Sequence, residues 1–216
     1  MPTCCLPSST RFDSPFDLAH AQREMRAYRR RGAGGTTRRL ISALSQCDHV
    51  RGTLLDVGAG CGALTFELLE RGMSEATCVD PAAPYREVAF EEAVRRGLER
   101  RVRSWLVAPL DDVASRLQPA DVVTLDRVVC CDADPSALVA TAADLSRRAV
   151  ALSYPRDVRW VRIVTAVANW WRRRRSVQGT FVHPERTLVG PLHDAGFRLA
   201  SQTDSAFWRI AVYQRA

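Results

Sequence analysis

Two periodicities divide the chain. From Phe16 the apolar or large residues Leu18, Ala21, Met25 and Tyr28 recur at helical spacing, and the pattern stops at Gly32-Ala33-Gly34-Gly35, where glycine ends a helix and leaves a hinge. Thr36 or Thr37 is placed to cap a second helix through Leu40, Ile41 and Leu44. From residue 53 onward the texture changes. Short Val/Leu-rich runs near 53–57, 76–79, 102–107, 121–126 and 149–154 alternate with amphipathic stretches, the βαβ signature of a parallel sheet in an α/β fold. A helix over 184–195 stops at Gly196. Two more strand-like runs, 197–203 and 206–214, are separated only by Asp204-Ser205, so short a link that it requires a hairpin and an antiparallel strand at the end of the sheet.

The same pattern gives the domain organisation. Residues 1–15 carry Pro, Ser and Thr without period and read as a loose terminus, 16–46 as an N-terminal helical cap, and 47–216 as the main domain with a helical insertion over 157–175.

The strongest chemical signal is Leu54-Leu55-Asp56-Val57-Gly58-Ala59-Gly60-Cys61-Gly62, a strand that runs into a glycine turn and then into a helix over Ala63–Glu70. Glycine suits such a turn because a Cβ would keep a ligand from the backbone. The spacing is G-x-G-x-G rather than the G-x-G-x-x-G of dinucleotide sites, and the carboxylate of Asp56 precedes it. That charge repels a pyrophosphate and attracts an ammonium and a sulfonium. Asp80 ends the second strand in Thr77-Cys78-Val79-Asp80-Pro81, where an acid can accept hydrogen bonds from both hydroxyls of a ribose. Acid, glycine turn and second acid describe a pocket for a cationic amino-acid nucleoside; a dinucleotide-binding or ligand-free Rossmann-like domain is the plainer alternative.

Composition narrows the chemistry. The 46% hydrophobic and 25% charged content suits a globular protein, and no run approaches the roughly 18 apolar residues of a membrane helix. The opening MPTCCLPSST lacks a basic start followed by an apolar stretch, so no secretory signal is visible and a cytoplasmic location is expected. Seven cysteines, two adjacent pairs among them and no C-x-x-C, match neither a disulfide framework nor a zinc spacing. The formal charge of +7 points toward nucleic acid or anionic lipid, yet all 31 basic residues are arginine, the mark of a GC-rich coding sequence. Without lysine a P-loop and a pyridoxal Schiff base are both excluded.

LLDVGAGCG followed by CVDP resembles motif I and the following acid of class I S-adenosylmethionine (SAM)-dependent methyltransferases, over about 36 to 213. The resemblance implies a Rossmann-like, seven-stranded, mostly parallel sheet of order 3-2-1-4-5-7-6, with SAM as cofactor, S-adenosylhomocysteine as its product and no metal. It also implies a small-molecule acceptor methylated at O, N or S. Gly58, Ala59 and Gly60 should cradle the amino-acid end of SAM, Asp56 should lie near its ammonium, Asp80 should hold the ribose, and Gly62, Pro81, Leu110 and Asp126 should complete the cofactor site. Many members carry Gly-Asp after the third strand to bind adenine. Here the segment is Leu106-Val107-Ala108-Pro109-Leu110-Asp111-Asp112, leaving Asp111, Asp112 or the backbone to take that contact.

The acceptor should meet residues after strands four and five. Arg127 could hold an anionic acceptor or form a structural ion pair, and Asp126 could touch cofactor or acceptor. Tyr154, Tyr28 and Trp171 are further acceptor candidates, while Cys130 and Cys131 read as core thiols. The insertion places Val161, Val164, Ala168 and Trp171 on one stripe and ends in Arg172-Arg173-Arg174-Arg175. It is either a cover over an aromatic or lipophilic acceptor, with arginines facing anions or a membrane, or a core-packed helix whose arginines complement its negative end. Thr180-Phe181-Val182-His183-Pro184-Glu185 and the hairpin resemble the C-terminal part of the magnesium-protoporphyrin O-methyltransferase branch. His183 is the candidate general base, with helix capping as the alternative, and Asp126 is the second optional catalytic group; His20, His49 and His193 read as surface residues. A non-catalytic SAM-binding partner or sensor and an RNA methyltransferase are the competing functions, although the Asp/Asn-Pro-Pro-aromatic motif of base methylation is missing.

Overall fold

The computed structural model describes residues 17–174 and 179–216; the loose terminus expected over 1–15 and Arg175 lie outside the described residues. The chain runs α1 (Leu18–Arg31), α2 (Gly35–Gln46), β1 (Gly52–Val57), α3 (Ala63–Arg71), β2 (Met73–Val79), α4 (Ala83–Arg96), β3 (Val102–Leu106), a one-turn α5 (Leu110–Val113) and β4 (Ala120–Asp126). It continues through α6 (Pro135–Asp144), β5 (Ser146–Pro155), α7 (Arg159–Arg173), α8 (Glu185–Asp194), β6 (Phe197–Asp204) and β7 (Trp208–Arg215).

One sheet of order β3-β2-β1-β4-β5-β7-β6 results, parallel except for β7, which runs antiparallel to both neighbours. This is the expected architecture. The order reverses between β1 and β4, and the crevice beyond their carboxyl ends is where such sheets bind ligands. Strand alternation feeds two cores: Leu54, Val122 and Ala151 face α1 to α4, while Leu55, Val123 and Leu152 face α6 and α8.

The N-terminal helices belong to the first of these cores, since Ala21, Met25, Tyr28, Leu40, Ile41 and Leu44 are buried with the strands. Asp17 caps α1 by accepting from the His20 amide at 2.7 Å. At α2 the structure departs from expectation: Gly34, not a threonine, is the N-cap, and Thr37 turns its hydroxyl elsewhere. A buried carboxylate fastens α1 to α4. Glu92 accepts from Arg29 (2.8 Å) and Arg96 (2.7 Å), and also from Arg95. Burial opposes its ionisation, but these hydrogen bonds outweigh burial and hold the carboxyl down at about 2.

Three further expectations are corrected. The β6–β7 loop has three residues, 205–207, because Ser205 donates its amide and hydroxyl to the Trp208 carbonyl and delays the second strand. The inward stripe of α7 is Val161 and Thr165, whereas Val164 and Trp171 are exposed, so the helix is not core-packed along the expected stripe. His49 is buried, and burial lowers its pKa.

Candidate functional site

β1 delivers the chain into Gly58-Ala59-Gly60-Cys61-Gly62, whose three glycines take φ of +69°, +53° and +81°. The Gly58 amide donates to the Val79 carbonyl at 2.7 Å and ties the turn to the end of β2. A Cβ on Gly58 would stand 2.3 Å from Val128 Cγ2, while one on Gly60 would enter open space. Gly60 therefore presents its backbone to the crevice. Gly62 does not: a Cβ there would meet the Phe66 ring at 2.8 Å, so this glycine is required for packing at the start of α3 rather than for ligand contact.

Asp80 stands at the tip of β2 with Oδ2 accepting from the Gly60 amide (2.8 Å) and Oδ1 from the Ala82 amide (2.9 Å). Burial raises its pKa, and those two amides counter the rise. The carboxylate is thus locked in orientation while each oxygen keeps a further lone pair for a ligand hydroxyl. Asp56 lies deeper, on the floor of the crevice, with Oδ2 accepting from Thr65 and Oδ1 from Thr124, both at 2.7 Å. Burial pushes its carboxyl up to about 7 against those two hydrogen bonds.

At the end of β4, Asp126 accepts from Thr37 at Oδ2 and from Ser153 at Oδ1, each at 2.5 Å. Arg127 beside it adopts φ +62°, a left-handed conformation uncommon for a residue with a Cβ, stabilised by donation of its amide to Ser153 Oγ at 2.9 Å. Its half-exposed guanidinium reaches the rim of the crevice, 3.8 Å from Asp126.

Three connected cavities form the crevice. One of about 380 Å³ is bounded by Tyr28, the 32–34 linker, Asp56, Gly60, Asp126 and Arg127. A second of about 210 Å³ holds Asp80, Pro81, Tyr85 and Arg127, and a third of about 430 Å³ is walled by Pro81, Leu110, Val128 and Phe181. Apolar walls suit a flat heterocycle in the third. Asp111 borders it while accepting from Thr141 at 3.3 Å.

Several candidates lie elsewhere. Tyr154 is buried in the core with Leu188 and Leu192, its hydroxyl donating to Glu185 at 3.3 Å. Alternation explains it: Ser153 points to Asp126, so its neighbour points to the other face. Trp171 is on the solvent side of α7, edge-on to Trp170 at 5.0 Å. His183 stacks on Phe181 and donates from Nε2 to the Asp132 carbonyl at 2.9 Å, behind the crevice wall; it does not cap α8, whose N-cap is Pro184. Cys130 is buried, but Cys131 borders the second and third cavities. Several groups around the crevice escaped the sequence reading, Thr37 and Glu24 among them. Thr37 carried only a capping signal, and Glu24, which accepts from Tyr85 at 2.6 Å on the crevice wall, sits on a helix surface that periodicity reads as solvent.

Comparison with known proteins bears on the fold and the family. The chain is similar to magnesium protoporphyrin IX methyltransferase from Synechocystis PCC 6803 with bound SAM, at a TM-score of 0.72 and 19% identity over 100% of both chains. An O-methyltransferase family protein from Burkholderia thailandensis superposes with a TM-score of 0.65 at 20% identity over 95% of this chain and 63% of that one. A putative RNA methyltransferase from Pyrococcus horikoshii reaches 0.56 at 13% identity over 86% and 84%. No curated protein matches. The model of a methyltransferase domain family matches residues 22–202, and the chain belongs to that family.

Proposed function

We propose that this methyltransferase uses SAM as donor and methylates a small molecule at O, N or S, in the crevice between Gly60, Asp126 and the N-terminal helices. The residues present fit the cofactor. Gly60 offers its backbone without a Cβ, Asp80 offers oriented carboxylate oxygens for ribose hydroxyls, and the Leu110–Phe181 cavity offers apolar walls for adenine. Bound SAM supplies an electrophilic methyl group on a sulfonium.

The observation that carries the acceptor class is the roof. α1 and the 32–34 linker border the cavity above Asp126, so an acceptor must fit beneath them. Methyl transfer is an in-line displacement in which alignment and exclusion of water contribute several kcal/mol, on the order of 7 to 11 in favourable cases. Asp126, fixed by Thr37 and Ser153, is the group positioned to orient an acceptor hydroxyl or amine and to take its proton. Arg127 on the rim suits an acceptor that carries a carboxylate or phosphate. His183 is assigned a positioning role, fixing the Asp132 carbonyl and the Phe181 ring.

The test is incubation with methyl-labelled SAM and separate pools of phenolic, amine, thiol and carboxylate small molecules, with an RNA pool alongside. Transfer to a small molecule, reduced at least tenfold by Asp126→Asn, is the expected result. Transfer to RNA alone overturns the acceptor class. Tight SAM binding without transfer to any pool overturns catalysis in favour of a SAM-binding partner.

A further inference from the structure

The solvent side of α7 is an exposed apolar face outside the crevice. Trp160, Ile163, Val164, Val167, Trp170 and Trp171 are each between 46% and 64% exposed, while only Val161 and Thr165 of this helix are buried. At 3.6 residues per turn Ile163, Val167 and Trp170 form the centre of the outward face. Arginines frame it: Arg159 and Arg162 near the start, Arg172, Arg173 and Arg174 at the end, all exposed. No carboxylate lies within 158–174. Arg162 pairs with Asp157 at 2.5 Å, and Arg174 lies 3.6 Å over the Trp170 ring.

We infer that α7 is a docking helix for an anionic lipid surface, lying in the plane of the interface with its tryptophans at headgroup depth. Charge decides between occupants. Two copies of this chain meeting face to face would oppose two sets of five guanidiniums with no acidic residue on either helix. An anionic bilayer complements both the apolar centre and the cationic frame. The helix rides on the surface and does not cross it; among the described residues no helix is long and apolar enough to span a bilayer.

Its placement couples docking to the crevice. Asn169 on α7 donates to the Thr180 carbonyl at 2.7 Å and accepts the Thr180 amide at 2.9 Å. Next to it the Phe181 amide donates to the Cys130 carbonyl at 2.7 Å, and Phe181 borders the third cavity. An α7 seated on lipid would therefore bring the crevice edge close to the surface, a position suited to an acceptor that partitions into membranes. The docking claim itself rests only on α7 and does not depend on the proposed reaction.

The test is sedimentation of the full chain with vesicles of phosphatidylglycerol and phosphatidylcholine against pure phosphatidylcholine, at ~0.05 M and ~0.5 M salt. The expected result is at least tenfold stronger partitioning onto the anionic vesicles, lost at high salt, with blue-shifted tryptophan emission. The variant Ile163→Ser/Val167→Ser/Trp170→Ser should bind at least tenfold more weakly with an unchanged circular dichroism spectrum and melting temperature. Equal binding to both vesicles, or wild-type binding by the variant, overturns the inference. So does a wild-type dimer in light scattering that the variant converts to monomer, since a second copy then occupies the face.

Discussion

Asp56 is the residue whose environment most constrains behaviour in solution. Its carboxyl is raised to about 7 by burial, so the folded chain retains a proton that the unfolded chain releases near the ordinary carboxylate range. Its contribution to stability is full below about pH 4 and declines as pH rises toward 7, by about 1.4 kcal/mol per pH unit. Asp56→Asn keeps the shape and removes that slope. Melting curves of the two proteins should therefore converge at acid pH and separate in favour of Asn by pH 7; parallel pH profiles would contradict the assignment. Arg127 provides a second residue-scale prediction. Because its backbone is left-handed, Arg127→Gly should leave the melting temperature unchanged or higher while raising KM for an anionic acceptor at least tenfold; a falling melting temperature with unchanged KM would refute it. Neither property is visible in the residue names. Asp56 and Asp80 were legible because a glycine turn and two strand ends fix where they stand, whereas the hydroxyls of Thr37, Thr124 and Ser153 that orient Asp126 and Asp56 come from three distant segments. Long-range pairing of this kind leaves no local pattern.

At the scale of elements, the attachment of α1 decides whether the crevice has a roof. Glu92 gathers Arg29, Arg95 and Arg96, and because Arg29 and Arg95 are 40% and 52% exposed, removal of the carboxylate costs less than the about 3 kcal/mol or more of a fully buried ion cluster. Glu92→Gln should lower stability at neutral pH by less than that amount. Since the wild-type carboxyl is depressed to about 2, its advantage should be lost as pH falls from about 4.5 to 2, a window that chemical denaturation at stepped pH resolves. Deletion of residues 1–34 should weaken SAM affinity and stability together, because Ala21, Met25 and Tyr28 belong to the core; unchanged affinity would remove α1 from the site. The seven strands and the main helices were readable from period-two and helical patterning, each within a few residues. The outlook of α7 was not. Its apolar stripe is compatible with a cover over an acceptor or with a core-packed helix, and only tertiary packing reveals that one narrow strip, Val161 and Thr165, satisfies the core while the wider apolar face remains outside. Tyr154 failed for a related reason: a strand end was identified correctly, but the face of each residue depends on register.

The whole molecule is a single sheet with its crevice at the β1/β4 reversal, bordered by α1 and α2 and flanked by an exposed, arginine-framed helix. Fold and family follow from the glycine turn and the strand order; the acceptor does not, because this fold hosts many reactions. The net charge of +7 makes one prediction at this scale. Any RNA affinity should be non-specific and fall steeply with salt, without methyl transfer; salt-resistant, sequence-selective binding would contradict the small-molecule reading. The central claim, that Asp80 and Gly60 form a SAM site, is tested most directly by calorimetric titration of the wild type and Asp80→Ala with SAM and with S-adenosylhomocysteine. Loss of the charged hydrogen bonds should weaken binding about 100-fold, roughly 3 kcal/mol, for both ligands. Wild-type protein that binds neither ligand, or an alanine variant that binds both as tightly, would contradict it.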